Sequence, residues 1–588
     1  MNKFYITKIS GTYSELLEAY GVANTLNKIF QQLDIDDVDI VMRDGLSIYV
    51  IETSVNITPE LISNLTYFQL FTYVKKDTSD NIDDKLDVFD YQVQKQLRDQ
   101  HNKEVESAKK RFENNKNALR RELCRIDNVY SHEKPIAFNY DVLSQFSLSN
   151  NYASLQKLFK NIEVNRENFS ELIWAILQYY GTLGNSYMPK DKNINIPNRQ
   201  VTNTQIIAPH QGKGLNKSKA NGINAKNEES NWISNSMKIS GAFSDMICHF
   251  VKVGENYDLK VLVPEYKEID FGFKSQLMPK FKRISKGNTP IKIDVLNILE
   301  LVEIILDHSF PKRRQITSIV AGLCSVYQKS LGRNNGVINI NYLGLPKFVN
   351  IGSKEENKEW KEIFDQQKQI IQSLKENRGA TEGLKYYRDF ISSSNLKAFY
   401  KFIFWYASYV SSELSKQNGY AILFTTDSIN KILSNMDITG SLNEIITNKG
   451  FQSVAYAIRG GTVALQYTPK ENRCYEVHYG FAQKLSIKSK SKENLAEFIA
   501  SYIASYNAET ARDYEKKSVK GAISKPTGDH SDGNKTEMKS ANKATRKPVK
   551  VEELTEFFKL LDKYPSSLIG AMLAAYGFAR HEKKKDEE

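Results

Sequence analysis

The chain is poor in the residues that most often carry chemistry or anchor a protein in a bilayer. Its 588 residues include only four cysteines, Cys124, Cys248, Cys324 and Cys474, and none forms a CxxC pair. That spacing speaks against a zinc ribbon and against a disulfide framework, and it suits a reducing, cytoplasmic setting. No long uninterrupted apolar run is present. The most apolar stretch, Leu396 to Leu414, is broken by Lys397 and Lys401 and reads as a buried helix, so no membrane partner is expected. The opening residues have no apolar signal core. Neither a His-Asp dipeptide nor a Gly-Asp-Asp tripeptide occurs, which removes the anchors of two common metal-dependent phosphoryl-transfer sites. Glu265 and Lys267 form an acidic-x-Lys tripeptide of a kind common by chance, and Cys474 and His478 lack a second pair. These residues offer no catalytic signature, and no metal or cofactor is expected from them.

Positive charge is what the chain has in excess. Lysine and arginine total 81 against 69 acidic residues, a net charge of +12. Such an excess favours a polyanionic partner through counterion release, and a lysine-rich composition alone is the plainer reading. Hydrophobic residues make up 40% and charged residues 26%, so most of the chain should fold, and its length allows two to four domains.

Periodicity suggests an α+β, multi-domain protein. Residues 1–350 read as an N-terminal α/β body with hairpins and a long basic loop at 193–231. A mainly α-helical C-terminal bundle follows: a helical domain at 351–515 with a small β element at 462–478, a flexible linker at 516–550, and a helical segment at 551–588. Leu16, Tyr20, Ala23, Leu26 and Phe30 predict a helix over Tyr13 to Phe30, with Ser14 as its cap. Two β-rich runs flank Asp44 and Gly45, a hairpin signal. Tyr91 to Ile126 reads as a long surface helix or a helical hairpin with basic residues in its second half. Trp232 to Lys252 reads as a helix, Tyr257 to Val263 as a strand ended by Pro264, and Ile291 to Asp307 as a helix. Tyr386 to Leu414 reads as one of the longest helices, and Thr462 to Tyr467 as a strand. Val551 to Arg580 is amphipathic and split at Pro565. The cluster Tyr67, Phe68, Phe71 and Tyr73 reads first as packed core, with base stacking as the alternative.

Two motifs stand out. In the first, Gln211, Gly212, Lys213, Gly214, Asn216, Lys217 and Lys219 form a cationic, donor-rich loop. It is no phosphate-binding P-loop, because Ile207 stands where the first glycine belongs and Gly214 replaces the Ser or Thr. Its glycines permit close backbone approach. Its lysines suit phosphates, and the amides of Gln211 and Asn216 suit base edges. An ordinary flexible surface loop has the same composition. Lys312, Arg313 and Arg314 form a second basic turn. In the second motif, Arg459 precedes Gly460 and Gly461 at a helix end. There it pairs with phosphate or with an acidic core residue, and the sequence does not choose.

Taken in order, several stretches resemble the Cas-eight large subunit of Cascade, the type I CRISPR surveillance complex, in its type I-A and I-B-like branch. They are Tyr13 to Gly21, Gln211 to Lys217, Tyr257 to Pro264, Ile293 to Leu299, Val454 to Tyr467, Tyr475 to Gln483, Tyr506 to Glu509 and Tyr576 to Arg580. The resemblance implies a non-catalytic subunit of a ribonucleoprotein complex for antiviral defence. Such a subunit holds the 5′ end of a guide RNA beside the backbone and 5′-handle-binding subunits. It reads a protospacer-adjacent motif in target double-stranded DNA and supports the R-loop, while base pairing reads the long sequence. It also implies recruitment of a helicase-nuclease, or of transposition proteins in transposon-associated relatives. A small subunit from an internal start, for which Met436 is placed, is a further implied partner. A metal-dependent nuclease and an RNA-binding scaffold are the alternatives.

Overall fold

The computed structural model describes residues 1–75, 86–113, 115–132, 150–163, 169–182, 200–211, 229–253, 256–284, 289–308, 313–331, 335–416, 419–437, 440–467, 480–523 and 546–581. The chain divides into two units, Met1–Asn357 and Lys358–Glu588, so the boundary expected at 350 falls at Asn357. It is a mixed α+β protein with several small sheets and a helical C-terminal region.

In chain order the first unit contains β1 (Lys3–Thr7), α1 (Ser14–Gln32), β2 (Ile40–Asp44), β3 (Ile48–Thr53), α2 (Pro59–Ser63), β4 (Tyr73–Lys75), β5 (Val88–Asp90), α3 (Tyr91–Arg111), α4 (Lys116–His132), α5 (Asn150–Glu163) and α6 (Phe169–Gly181). It continues with β6 (Gln200–Thr202), β7 (Glu229–Asn231), α7 (Trp232–Asp245), β8 (Ile247–Val253), β9 (Asn256–Tyr266), β10 (Glu268–Asp270), α8 (Phe271–Ile284), α9 (Pro290–Leu306), β11 (Arg314–Gln315), β12 (Val320–Ser330), β13 (Asn335–Gly344) and β14 (Asn350–Ile351).

At the centre, α1 and α7 cross at backbone distance. Both are buried around most of their girth, and both carry small residues where they meet. A Cβ on Gly21 would stand 1.9 Å from Met237 O, and one on Gly241 would stand 1.9 Å from Leu17 O. Tyr13, not Ser14, is the N-cap; Ser14 is the first helical residue, and its N–H donates to Thr12 Oγ1 at 3.3 Å. The β2–β3 hairpin turns at Asp44 and Gly45 as its sequence signals, in a sheet of order β1-β3-β2-β10. Asp44 accepts from both Lys8 and Lys267, tying β2 to β1 and to the β9–β10 connection.

The second sheet has order β13-β12-β9-β8, antiparallel throughout. Two sequence expectations fail here. The helix expected through Lys252 ends at Asp245, and the following residues form β8. β9 runs past Pro264 to Tyr266, because β8 opposes β9 only as far as Leu262 and leaves that side of the strand open for a proline. Buried ion pairs fasten helices around these sheets: Lys260 to Asp294 at 2.7 Å and Lys274 to Asp245 at 2.7 Å. α3 and α4 form a helical hairpin around Ala108, Ile126 and Tyr130. Phe68, Phe71 and Tyr73 are buried, so that aromatic cluster is core.

The second unit takes most of α10 (Lys354–Ser373), then α11 (Thr381–Ser393), α12 (Leu396–Ser415), α13 (Thr426–Met436), α14 (Ser441–Thr447), α15 (Lys449–Gly461), α16 (Phe481–Lys488), α17 (Lys492–Ile523), α18 (Val551–Lys563) and α19 (Ser566–Gly577). The helix expected over Tyr386 to Leu414 is two helices, broken at Ser394 with φ +55°. Asn395 caps the second through its side chain. Leu396 to Leu414 is amphipathic, with Phe399, Phe402 and Tyr406 in the core. Among the described residues no helix is long and apolar enough to cross a membrane.

The β element expected at 462–478 is not formed at its start. Val463–Tyr467 makes a 3-10 turn, with Thr462 Oγ1 donating back to Ile458 O at 2.6 Å; Cys474 and His478 lie outside the described residues. The linker expected at 516–550 is also shorter. α17 extends to Ile523, and the segment from Arg546 to Lys550 lies pinned along it. Asn507 donates to Val549 O at 2.8 Å and accepts from Val549 N at 2.9 Å. Of the segment expected at 551–588, residues 551–581 are no appendage: Ile569 to Tyr576 are buried, α18 and α19 pack on α15, and Arg580 N donates to Phe424 O at 2.7 Å.

The crossing of α1 and α7 makes a direct prediction. Gly241→Ala places a methyl group inside Leu17 O, and overpacking of this kind costs about 1–3 kcal/mol. The urea midpoint of the first unit should fall accordingly, whereas an unchanged midpoint would show that the two backbones do not touch.

Candidate nucleic-acid interface

Of the residues singled out by sequence, Gly212, Lys213, Gly214, Asn216, Lys217, Lys219 and Lys312 lie outside the described residues. Gln211, Arg313, Arg314 and Arg459 are described. Gln211 stands at the foot of the basic loop. That foot is an ordered ribbon, because β6 and β7 pair antiparallel with Gln200 opposite Asn231. After β6 two tight turns carry the chain forward: Thr204 O accepts from Ala208 N at 3.0 Å, and Ala208 O accepts from Gln211 N at 3.3 Å. Tyr13 OH at the start of α1 donates to Ile206 O at 2.8 Å and fixes these turns to the core.

The fold thus places Gln211 firmly and leaves its amide unused. Gln211 is 7% exposed, and neither Oε1 nor Nε2 has a hydrogen-bond partner. Asn203 Nδ2, Thr204 Oγ1 and Trp232 Nε1 are buried in the same condition. Asn203 Oδ1, by contrast, accepts from Ser230 Oγ at 2.7 Å and Asn235 Nδ2 at 2.6 Å. An unsatisfied buried polar atom costs about 1–3 kcal/mol, and native interiors pair nearly all of theirs. Several such atoms lie together at the root of one ribbon. The chemistry available is recognition: a primary amide offers a donor and an acceptor side by side.

Arg313 and Arg314 behave differently. The Arg313 side chain is 63% exposed, and its Nη2 lies 3.6 Å from Glu356 Oε1. Arg314 begins β11, and its Nε donates to Ser318 Oγ at 3.2 Å. Both are surface groups, screened by salt and suited to phosphate contacts.

Arg459 lies in the last turn of α15, where the helix dipole favours a cation. It is 9% exposed, and its Nε is buried without a hydrogen-bond partner. Burial pulls its guanidinium down to about 10, a shift that Tyr456 only partly opposes; the Tyr456 ring centroid lies 5.8 Å away. Among the described residues no carboxylate pairs with it, so the acidic core partner allowed by the sequence is not found there. Beside it, Arg546 is fully engaged. Arg546 Nη2 donates to Gly460 O at 2.6 Å, and Nη1 lies 3.1 Å from Glu509 Oε2. Its guanidinium stacks over Tyr506 at 5.3 Å. Sequence reasoning missed Arg546 because its neighbourhood reads as linker by composition; the one available signal was a lone arginine just before the apolar pattern of α18.

No family model matches the chain, and no curated protein matches it. Among the described residues no group of three or more His, Cys, Asp or Glu side chains is arranged to hold a metal ion.

The two arginines should respond in opposite ways. Arg459→Met removes a desolvated, unpaired charge and should raise the stability of the second unit by about 1–2 kcal/mol. Arg546→Met strands Gly460 O and Glu509 and should lower it by about 2–4 kcal/mol. Equal losses in a denaturant titration would make Arg459 an ordinary structural residue.

Proposed function

We propose that this chain is the non-catalytic large subunit of an RNA-guided type I CRISPR surveillance complex. It binds the guide RNA 5′ end, reads the protospacer-adjacent motif in duplex DNA and supports R-loop formation and effector recruitment. The observation that carries the reading is the buried, unpartnered amide of Gln211 at the foot of the basic loop. A Gln amide pairs bidentately with adenine N6 and N7, and an unpartnered amide gives up no internal hydrogen bond to do so. The net charge of +12 supports a polyanionic partner, and the ordered resemblance of scattered stretches supplies the class.

In this scheme Gln211 contributes sequence discrimination. Lys213, Lys217 and Lys219, with Lys312, Arg313 and Arg314, contribute phosphate contacts, and Arg459 takes a backbone phosphate in place of a carboxylate. Guide pairing supplies the long-range specificity.

Two measurements test the reading. The tagged chain, purified with its operon neighbours, should carry uniform short RNAs with one repeat-derived 5′ end. A protein free of RNA, with divalent-ion-dependent cleavage, would make it a nuclease instead. In the assembled complex, Gln211→Leu should flatten discrimination among motif sequences by about 1–3 kcal/mol, roughly 5- to 150-fold, while leaving the bound RNA unchanged. Salt-sensitive DNA binding without sequence preference in the parent complex would leave only an RNA scaffold.

A further inference from the structure

A cavity of about 500 Å³ lies in the first unit, lined from α1, the start of β5, the end of α7 and one face of α8. Phe89, Phe243, Phe271 and Met278 supply apolar walls, and Asp87, Lys274 and Lys282 are its charged lining. Volume, aromatic walls and a few polar groups are what a small-molecule site requires. Nothing in the RNA-guided reading uses this cavity.

The electrostatics of the cavity are unusual. Lys274 is buried, with Nζ 2.7 Å from Asp245 Oδ2 and 4.8 Å from the Phe271 ring centroid. Lys282 Nζ donates to Phe243 O at 2.7 Å. Burial draws the Lys282 ammonium down to about 7; Lys274 on the same helix adds to the fall, while Asp245 on α7 and Cys248 on β8 oppose it. On α1, Lys28 is lowered by burial and drawn back by Asp87. An anion inside the cavity would favour the protonated form of Lys282. The polar rim is already occupied: Asn24 Nδ2 donates to Ser240 O and Ser244 Oγ, and its Oδ1 accepts from Lys274 Nζ at 3.4 Å. A bound ring is therefore held by its faces and not by its edges.

We infer that this cavity is a binding site for a nucleoside monophosphate, with the ring against Phe89, Phe243 and Phe271 and the phosphate toward Lys282. A phosphate monoester carries close to two negative charges near neutral pH, and because Lys274 is already paired with Asp245, the ammonium it meets is that of Lys282. Because stacking is tolerant of base identity, the common nucleotides bind alike.

Isothermal titration of the full chain with AMP tests this without guide or target, so its outcome is independent of the CRISPR reading. Saturable one-to-one binding is expected. At pH 8, buffers of different ionisation heat should reveal uptake of about one proton per AMP, because free Lys282 is then largely neutral and bound Lys282 is charged. GMP, CMP and UMP should bind within about fivefold of AMP. Lys282→Met should abolish the proton uptake and weaken AMP at least about tenfold. Ser275→Trp, a change at an exposed position on the cavity wall, should block binding while the melting curve stays as in the parent. No binding of AMP at millimolar concentration would overturn the inference. So would inorganic phosphate binding as tightly as AMP, or Ser275→Trp binding AMP like the parent.

Discussion

The first unit depends on two helices meeting at backbone distance. Where α1 and α7 cross, Gly21 and Gly241 remove the only atoms that would hold them apart. From that fixed helix, side chains two to five residues apart reach different elements. Tyr13 bonds Ile206 at the loop foot, Glu18 takes Tyr180 from α6, Tyr20 bonds Pro264 on β9, and Asn24 meets Ser244 beside the cavity. The ribbon carrying Gln211 and the cavity holding Lys282 are thus positioned by successive turns of one buried helix. A shift of α1 would move both together.

Both units place polar side chains where water cannot reach and then treat them unequally. Arg546 and Lys274 are surrounded by acceptors, and their burial is repaid within the fold. Arg459 and Gln211 are not, and they lower stability where they stand. Stability alone selects for replacing such groups with apolar ones of the same shape, since that exchange is close to neutral or favourable. The proposed function accounts for their presence, since in the bound state the missing partner arrives from another molecule.

Much of the architecture is legible from local sequence rules. The period of α1, the Asp44–Gly45 hairpin, the break at Pro565 and the burial of Phe68, Phe71 and Tyr73 all follow from patterns a few residues long. What fails depends on distant partners. Trp232 to Lys252 carries a helical pattern throughout, but residues 247–253 are captured by β9 as a strand. Thr462 to Tyr467 alternates like a strand and has no strand to pair with among the described residues, so it closes a helix end instead. Arg546 looks like linker until Glu509 and Gly460, brought by two other helices, surround it. The site shows the same division. Residue type pointed to Gln211 and Arg459, but only the fold shows that both are buried and unpartnered, while the cavity of Lys282 is built from segments spread between Asn24 and Lys282 and left no trace in any one of them.

Charge works at two depths in this protein. Exposed groups such as Arg313 act through a solvent that screens them beyond about 8 Å at physiological ionic strength. Under the proposed function they draw a polyanion whatever its sequence and lose their hold as salt rises. Arg459 differs: its Nε is out of reach of water and has no hydrogen-bond partner, and burial draws its guanidinium below the usual arginine value. Binding then gains the new hydrogen bond without a fresh desolvation penalty, which is the thermodynamic content of preorganisation. Under the proposed function the net charge of +12 serves encounter, and the few buried, unsatisfied polar atoms serve discrimination.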